Sequence, residues 1–147
     1  MSIPAVVGLV TLGVADVRAS TRFYEQLGFP LAPSSVEGEV SFFRTAGALL
    51  AVWQTDELRA DAGIETGEST GRYREFSLAI NVGSRDEVDA ALAAAEAAGA
   101  SIARAAEPTD WGGYNGYFAD PDGHLWEIAH NPFWPLGPDG VAVLPVA

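Results

Sequence analysis

Glu127 is the residue whose type and position could do chemistry. It lies in an apolar run, where the alternation of side chains along a strand places it on the face opposite to Trp126 and Ile128. Trp126 and Ile128 are typical core residues, so the carboxylate is predicted to lie on the face of the strand that does not pack into the core. There it could hold the ammonium group of a ligand or act as a general base. It could equally be a structural group bonded to the backbone, to Arg44 or to Tyr114.

Aromatic residues could extend the chemistry of this carboxylate to planar or cationic ligands. The stretch WGGYNG combines glycines, which let a backbone approach a ligand closely, with Trp111, Tyr114 and Asn115, which can stack or hydrogen-bond. Trp53, on another predicted strand, could add an aromatic face that attracts a cation by about 0.5–2 kcal/mol. The alternatives are ordinary packing for Trp53 and, for the loop, a flexible strand entry whose rings fold onto the sheet.

A turn with strands on either side is predicted to position Glu127. In the sequence DPDG, Asp120–Gly123, the proline sets one turn dihedral, the aspartate can bond back to the backbone, and the glycine takes the left-handed conformation. Runs rich in aromatic and branched residues flank this turn, at Gly113–Ala119 and His124–His130. The pattern therefore predicts a β-hairpin that ends on the strand of Glu127.

The order of the predicted elements repeats, which indicates an α+β fold of two βαβββ modules. The first module is predicted as strand Ala5–Val14, a helix from Asp16 to Leu27, and strands Pro30–Ser35, Glu39–Thr45 and Ala48–Gln54. The second is predicted as strand Tyr73–Val82, a helix from Ser84 to Ala98, strand Ile102–Pro108 and the hairpin. Each sheet must bury one face under its helix, and the other faces could curl into a shared central cleft. Aligning Gly47 with Gly123 sets Ala51 against Glu127.

The repeats set the predicted domain organisation. The whole chain, 1–147, is predicted as a single domain whose repeats cover about 5–54 and 73–130. Residues 55–72 are predicted as a linker with a short helix at Glu57–Ala62. The tail, 131–147, holds too much proline and glycine for regular structure, and Phe133 and Trp134 are predicted to anchor it by packing.

The composition excludes several classes of function. The chain has 147 residues, no cysteine, and 20 acidic against 8 basic side chains, for a formal net charge of −12. Without cysteine there are no disulfides and no thiolate chemistry. Without a basic surface, nucleic acid is not an expected partner, whereas a cationic ligand would be attracted. No apolar run approaches the roughly 20 residues that span a bilayer, so we expect a cytoplasmic protein with no membrane partner.

Three stretches carry a resemblance to a known family. They are Leu12–Val17 (LGVADV), Phe23–Gly28 (FYEQLG) and Gly116–Glu127 (GYFADPDGHLWE). With the duplicated βαβββ order, they make the chain similar to the vicinal oxygen chelate superfamily, which includes glyoxalase I, bleomycin-resistance proteins and extradiol dioxygenases. The resemblance covers roughly residues 5–130 and implies the glyoxalase/bleomycin-resistance/dioxygenase-type fold. It also implies a ligand or a divalent metal ion in the cleft, and a homodimer.

The resemblance supplies only one metal ligand with certainty. The glutamate of the family's last strand matches Glu127, but its counterpart in the first module is Ala51, and the first-strand ligand position falls on Leu9. The fifth-strand position falls on Ser77 or on Glu75, depending on the register. Imidazole and carboxylate groups from several strands are what such a metal needs. We therefore expect no cofactor and no metal in the family position.

These observations predict a metal-independent protein that binds a small molecule, either a drug or a metabolite, possessing aromatic or cationic groups. The predicted ligand-binding residues are Trp53, Glu75, Ser77, Trp111, Tyr114, Asn115 and Glu127. The alternative is a lyase, isomerase or dioxygenase-type enzyme acting in the same cleft, with Glu127 as a metal ligand or as the catalytic general base. A third possibility is a cleft filled by side chains, in a protein that serves as a dimeric partner domain.

Overall fold

A computed structural model describes residues 5, 7–63 and 76–144 of the chain. It divides into two compact units, Met1–Glu68 and Ser69–Ala147. The elements are β1 (Leu9–Val14), α1 (Val17–Gln26), β2 (Val40–Phe43), β3 (Leu49–Gln54), α2 (Thr55–Asp61), β4 (Leu78–Asn81), α3 (Arg85–Ala98), β5 (Ser101–Pro108), β6 (Tyr114–Ala119) and β7 (Leu125–His130). None of the described helices is long and apolar enough to cross a membrane.

Helix α1 begins and ends where the sequence predicts. The side chain of Asp16 accepts a hydrogen bond from the backbone N–H of Ala19 at 3.0 Å, which satisfies one of the free N–H groups of the first turn. Gly28 follows the helix with φ +98°, a conformation that glycine adopts without steric cost. Phe23 and Tyr24 are fully buried, so this side of α1 forms the core of the first unit.

The first sheet has three strands in the order β1-β3-β2, with β1 parallel and β2 antiparallel to β3. The predicted strand Pro30–Ser35 is wrong, because this segment forms only an isolated bridge to β2. Pro30 and Pro33 lack the N–H groups that a ladder requires. The N–H of Ala32 still donates to the carbonyl of Phe42 at 2.7 Å, so the segment runs as an irregular edge beside β2, in the position that β5 takes beside β6 in the second sheet.

Helix α2 confirms the short helix that was predicted at Glu57–Ala62, and it begins two residues earlier. The side chain of Gln54 caps it, because its Oε1 accepts from the N–H groups of Asp56 and Glu57 at 2.7 and 3.1 Å. Residues 64–75, which include the second half of the predicted linker and the start of the predicted strand Tyr73–Val82, lie outside the described residues.

The second unit has a four-stranded sheet, in the order β4-β7-β6-β5, with α3 packed on one face. The hydroxyl of Ser84 accepts from the N–H of Glu87 at 3.2 Å and caps α3, and Gly99 ends it with φ +116°. The buried side chains of the helix recur at helical spacing: Val88, Leu92 and Ala95. Phe118 and Trp126 stack on each other in the core, with ring centroids 6.1 Å apart.

The predicted hairpin is formed by β6 and β7, and a buried aspartate holds its turn. Asp120 Oδ1 accepts from the backbone N–H groups of Asp122 and His124, at 2.9 and 2.8 Å, and Gly123 has φ +87°. The register pairs Phe118 with Trp126 and Tyr117 with Glu127. Since the first pair lies in the core under α3, the second pair lies on the opposite face, which we call the open face of the second sheet.

Candidate ligand-binding site

A pocket of about 450 Å³ lies on the open face of the second sheet, within the range of small-molecule sites. Its lining comes from strands β4 and β7, from the loop between β5 and β6, and from the chain after β7: Ala79, Asn81, Trp111, Glu127, Ala129, Asn131, Phe133 and Trp134. Ala79 pairs directly with Glu127 in the register. Because Ala79 and Ala129 carry only methyl groups, the space in front of the carboxylate stays open.

Three aromatic side chains form the wall of this pocket. Trp111, Phe133 and Trp134 are 46%, 61% and 39% exposed, so the prediction that the last two are packing anchors is wrong. Two glycines explain how the rings come so close to the loop. A methyl group on Gly113 would lie 2.0 Å from the Trp111 ring, and one on Gly112 would lie 3.1 Å from the Phe133 ring. The wall therefore depends on residues without a side chain.

A turn after β7 sets the direction of the tail. Asn131 Oδ1 accepts from the N–H of Phe133 at 2.9 Å, and the carbonyl of Asn131 accepts from the N–H of Trp134 at 3.2 Å. The hydrogen bond from the Phe133 N–H to the Asn131 side chain, two residues earlier, defines an Asx turn. It bends the chain directly at the end of the strand of Glu127, and the two aromatic residues line the pocket as a result.

Glu127 belongs to a chain of hydrogen bonds across the open face. Its Oε2 accepts from the Nδ2 of Asn115 at 2.8 Å, and the Oδ1 of Asn115 in turn accepts from the guanidinium of Arg104. Arg104 also forms an ion pair with Glu107 at 2.7 Å and lies over the ring of Tyr117, 5.4 Å from its centroid. Asn115 is only 7% exposed, and Glu127 is half-buried, so each of them needs these partners.

The sequence reasoning missed Arg104, and irregular pairing of β5 is the reason. Ile102 pairs with Phe118 and lies on the core side, so strict alternation would put Arg104 on that side too. Instead, one additional residue between them lets Arg104 pair with Tyr117 on the open face. A second shift before Glu107 brings that carboxylate to the same face. No residue type in this alanine-rich strand signals either irregularity.

Three of the predicted site residues come together here: Trp111, Asn115 and Glu127. Tyr114 does not join them, because it alternates with Asn115 and lies on the face that α3 covers. Its hydroxyl donates to Asp89 at 2.8 Å, and the guanidinium of Arg85 lies 5.2 Å from the centre of its ring. The hydrogen bond to Asp89 raises the pKa of Tyr114 above its ordinary value. The partner of Glu127 within the second unit is therefore Asn115 rather than Tyr114.

The other predicted residues lie elsewhere in the chain. Trp53 is half-buried in the first unit, as part of β3. Ser77 is exposed and precedes β4, so Ala79 rather than Ser77 stands opposite Glu127 in the ladder. Glu75 lies outside the described residues. The roles predicted for these side chains in ligand binding stay predictions.

The described residues do not fit the divalent ion that the fold family implies. Leu9, Ala51 and Ser77 supply neither imidazole nor carboxylate, and in the described part of the chain no three His, Asp or Glu side chains are grouped so that they could hold a metal ion. Glu127 already accepts from the amide N–H of Asn115, a donor that competes with a cation for that oxygen. One carboxylate with a protein donor bound to it is a poor ligand set.

The two histidines do not complete such a set. His124 is buried beside the Asp120 turn, and His130 has its Nδ1 3.2 Å from the carbonyl oxygen of Val82. Both alternate with Glu127 along the chain, so both belong to the other side of β7. Neither points to the open face.

Two units follow the βαβββ order, the first with an irregular edge in place of one strand, and a carboxylate lies on the last strand of the second. Together they define a duplicated α+β fold with a site on a sheet face. Residues 6–128 match the family model of the glyoxalase/bleomycin resistance protein/dioxygenase superfamily, and the chain belongs to that superfamily. The fold and the resemblance predicted from the sequence are thereby confirmed. No curated protein matches the chain.

Solved structures show the same fold. The chain is 40% identical to a glyoxalase-related enzyme from Fulvimarina pelagi, with a TM-score of 0.85 over 97% of this chain and 100% of that one. It is 27% identical to a glyoxalase/bleomycin resistance protein/dioxygenase from Nocardioides, with a TM-score of 0.71 over 88% and 85% of the two chains. A lactoylglutathione lyase from Agrobacterium tumefaciens shares the fold at 21% identity and a TM-score of 0.67, over 92% and 100%.

Proposed function

We propose that the protein binds a small molecule, a drug or a metabolite, on the open face of its second unit and does so without a metal ion. The observation that carries the proposal is the composition of the pocket. Three exposed aromatic rings surround a space of about 450 Å³ beside one carboxylate, and alanines stand where larger side chains would fill it. Exposed aromatic clusters in a concave site are typical of ligand recognition.

The ligand of this proposal has an aromatic ring and a cationic or hydrogen-bonding group. Trp111, Phe133 and Trp134 offer faces for stacking, and Glu127 lies within the same lining. Stacking and cation–π attraction contribute about 0.5–2 kcal/mol each where water is excluded. The formal net charge of −12 adds a field that attracts cations. Sequestration of such a compound is what the resemblance to bleomycin-resistance proteins implies.

Two measurements on the purified protein test this function. Metal analysis should find less than one divalent ion for each chain, and titration with an aromatic amine such as 2-naphthylmethylamine should shift the indole N–H signals of Trp111 and Trp134 in NMR spectra. Glu127→Gln should weaken this binding about tenfold or more, since hydrogen bonds to charged groups contribute about 1.5–3 kcal/mol. Glu96→Gln, with the same loss of charge on the exposed side of α3, is the matched control. A stoichiometric, tightly held metal ion would refute the proposal.

A second candidate is an enzyme that uses Glu127 as a general base in the same pocket. The similarity to a glyoxalase-related enzyme at 40% identity favours it. Glu127 lies within the pocket lining, where it could reach a proton on a bound substrate. Turnover of a candidate substrate that disappears in Glu127→Gln, with unchanged binding and fold, would support this function over simple sequestration.

The proposal also includes a cytoplasmic location and a homodimer. A chain without cysteine has no need of an oxidising compartment. The homodimer rests on the family resemblance. Sedimentation at micromolar concentration should give about twice the mass of the 15.4 kDa chain, and a monomer at that concentration would remove this part of the proposal.

A further inference from the structure

Arg104 does not line the pocket, but several contacts hold its guanidinium in place. Its Nη1 donates to a Glu107 oxygen at 2.7 Å and to the carbonyl of Ala105 at 3.3 Å. Its guanidinium lies over the Tyr117 ring, and its Nη2 donates to Asn115 Oδ1. The direction of the guanidinium is therefore set by four neighbours. Because Glu107 neutralises its charge, the charge that faces the pocket is that of Glu127.

The amide of Asn115 can satisfy its two neighbours in only one orientation. An arginine only donates hydrogen bonds and an ionised carboxylate only accepts them, whereas an amide has one end of each kind. With the oxygen toward Arg104 and the nitrogen toward Glu127, both bonds form. The reversed amide would place N–H groups against the guanidinium and an oxygen against the carboxylate. Since Asn115 is nearly buried, water cannot compensate for that loss.

This orientation decides which chemistry the pocket presents to a ligand. Asn115 occupies the Oε2 of Glu127, and no described residue forms a hydrogen bond to the Oε1. The pocket thus offers a carboxylate oxygen as a hydrogen-bond acceptor beside its aromatic wall. A ligand that brings an N–H donor completes the pattern, whereas a carboxylate would meet a like charge.

We propose that Arg104 is a positioning residue that acts through Asn115 and makes the pocket select aromatic compounds with a protonated amine over aromatic carboxylates. This inference rests on the proposed function, because it concerns the ligand of the same pocket. It goes further by assigning the selectivity to a residue that does not touch the ligand. Without Arg104, only Glu127 orients the amide of Asn115, so the direction of the acceptor is less firmly fixed.

A matched pair of probes, 2-naphthylmethylamine and 2-naphthoate, tests the selectivity by calorimetry and by NMR shifts of the tryptophan indole signals. In the natural protein the amine should bind at least about tenfold more tightly than the carboxylate. Arg104→Gln should reduce this preference at least about threefold, because glutamine can either donate to Asn115 or accept from it. The lost cation and the unpaired Glu107 would by themselves raise the preference for the amine, so a reduction reports the orientation of Asn115. Arg104→Lys, which still only donates, should restore most of the preference. Arg85→Gln, which removes a cation from the α3 side of the sheet, should leave it unchanged.

A spectroscopic signature separates positioning from a merely structural role. In the natural protein a scalar coupling across the hydrogen bond should join the Asn115 side-chain nitrogen to the Glu127 carboxyl carbon, and it should become weaker in Arg104→Gln. This readout needs no ligand, and its absence in the natural protein overturns the inference even if Arg104→Gln does not fold. Equal binding of the two probes, or an unchanged preference in a folded Arg104→Gln, also overturns it while the pocket stands. If neither probe binds the natural protein, the proposed function fails as well.

Discussion

Replacing Gly113 by alanine should displace Trp111 and destabilise the fold. A methyl group at this position would lie 2.0 Å from the Trp111 ring and 2.8 Å from the carbonyl oxygen of His130, where contacts between carbon and other heavy atoms normally exceed 3.4 Å. The ring can rotate away, but the carbonyl belongs to the backbone of β7 and cannot do so freely. The substitution therefore disturbs both the aromatic wall and the strand that carries Glu127.

The magnitude follows from two opposing contributions. Overfilling a packed site costs about 1–3 kcal/mol, while the smaller entropy of an unfolded alanine chain returns about 0.4–1 kcal/mol. The free energy of unfolding should fall by about 1–2 kcal/mol in Gly113→Ala, measured by urea denaturation. The same variant should shift the Trp111 indole N–H signal and weaken the binding of 2-naphthylmethylamine, because the wall is displaced.

Gly47→Ala is the matched control for this substitution. The nearest atom to a methyl group there is 3.9 Å away, so an ordinary contact replaces the clash. Its free energy of unfolding should stay within about 0.5 kcal/mol of the natural protein, or rise slightly. If Gly113→Ala matched this control in stability and left the Trp111 signal in place, the account of how the wall is built would be wrong.

Three further predictions concern the elements around the site. Asp120→Ala should lower the free energy of unfolding by about 2–4 kcal/mol in urea denaturation, because two backbone N–H groups at the turn lose their acceptor, whereas Asp120→Asn, which keeps an oxygen, should lose less. The pKa of the Tyr114 phenol should lie above its ordinary value in an alkaline absorbance titration, where subtracting the curve of Tyr114→Phe isolates this residue, and Asp89→Asn should lower that pKa. Because the fold favours the neutral phenol, the stabilisation from this hydrogen bond is complete at neutral pH and is lost as the pH rises through the raised pKa. Trp134→Leu should weaken aromatic amine binding about threefold to tenfold in calorimetry and leave unfolding nearly unchanged, because this side chain is exposed.

Features that depend on neighbouring residues could be predicted from the sequence. The caps at Asp16 and Ser84 and the turn at Asp120 act over two to four residues, so residue type and spacing suffice. The strand predicted at Pro30–Ser35 shows the limit of this reasoning. The order of the repeat has a strand at this place, but a ladder needs N–H groups in register, which the prolines remove.

To predict which residues reach the site, one must know which side chains of each strand lie on the core face of the sheet and which lie on the open face. For Tyr114 the signal was available, because it lies an even number of residues from Phe118, a buried core residue, and so belongs to the α3 side. For Arg104 no such signal exists, since the extra residue in β5 reverses the alternation without a glycine or proline to mark it. Exposure of Phe133 follows from the Asn131 turn, which sequence reasoning treated only as irregular chain.

The network around Glu127 also shows how the protein itself stabilises this carboxylate on a half-buried face. An unpaired carboxylate there would cost several kcal/mol relative to water, and in a metal site the ion supplies the compensation. In this protein Asn115 donates a hydrogen bond to the carboxylate, and Arg104 polarises the amide of Asn115 by donating to its oxygen. The protein therefore offsets part of the cost of removing the carboxylate from water. The arrangement satisfies one carboxylate oxygen and leaves the other without a bond to any described residue. A site that is stable alone and still has one acceptor to offer is suited to reversible binding of a ligand that brings its own donor.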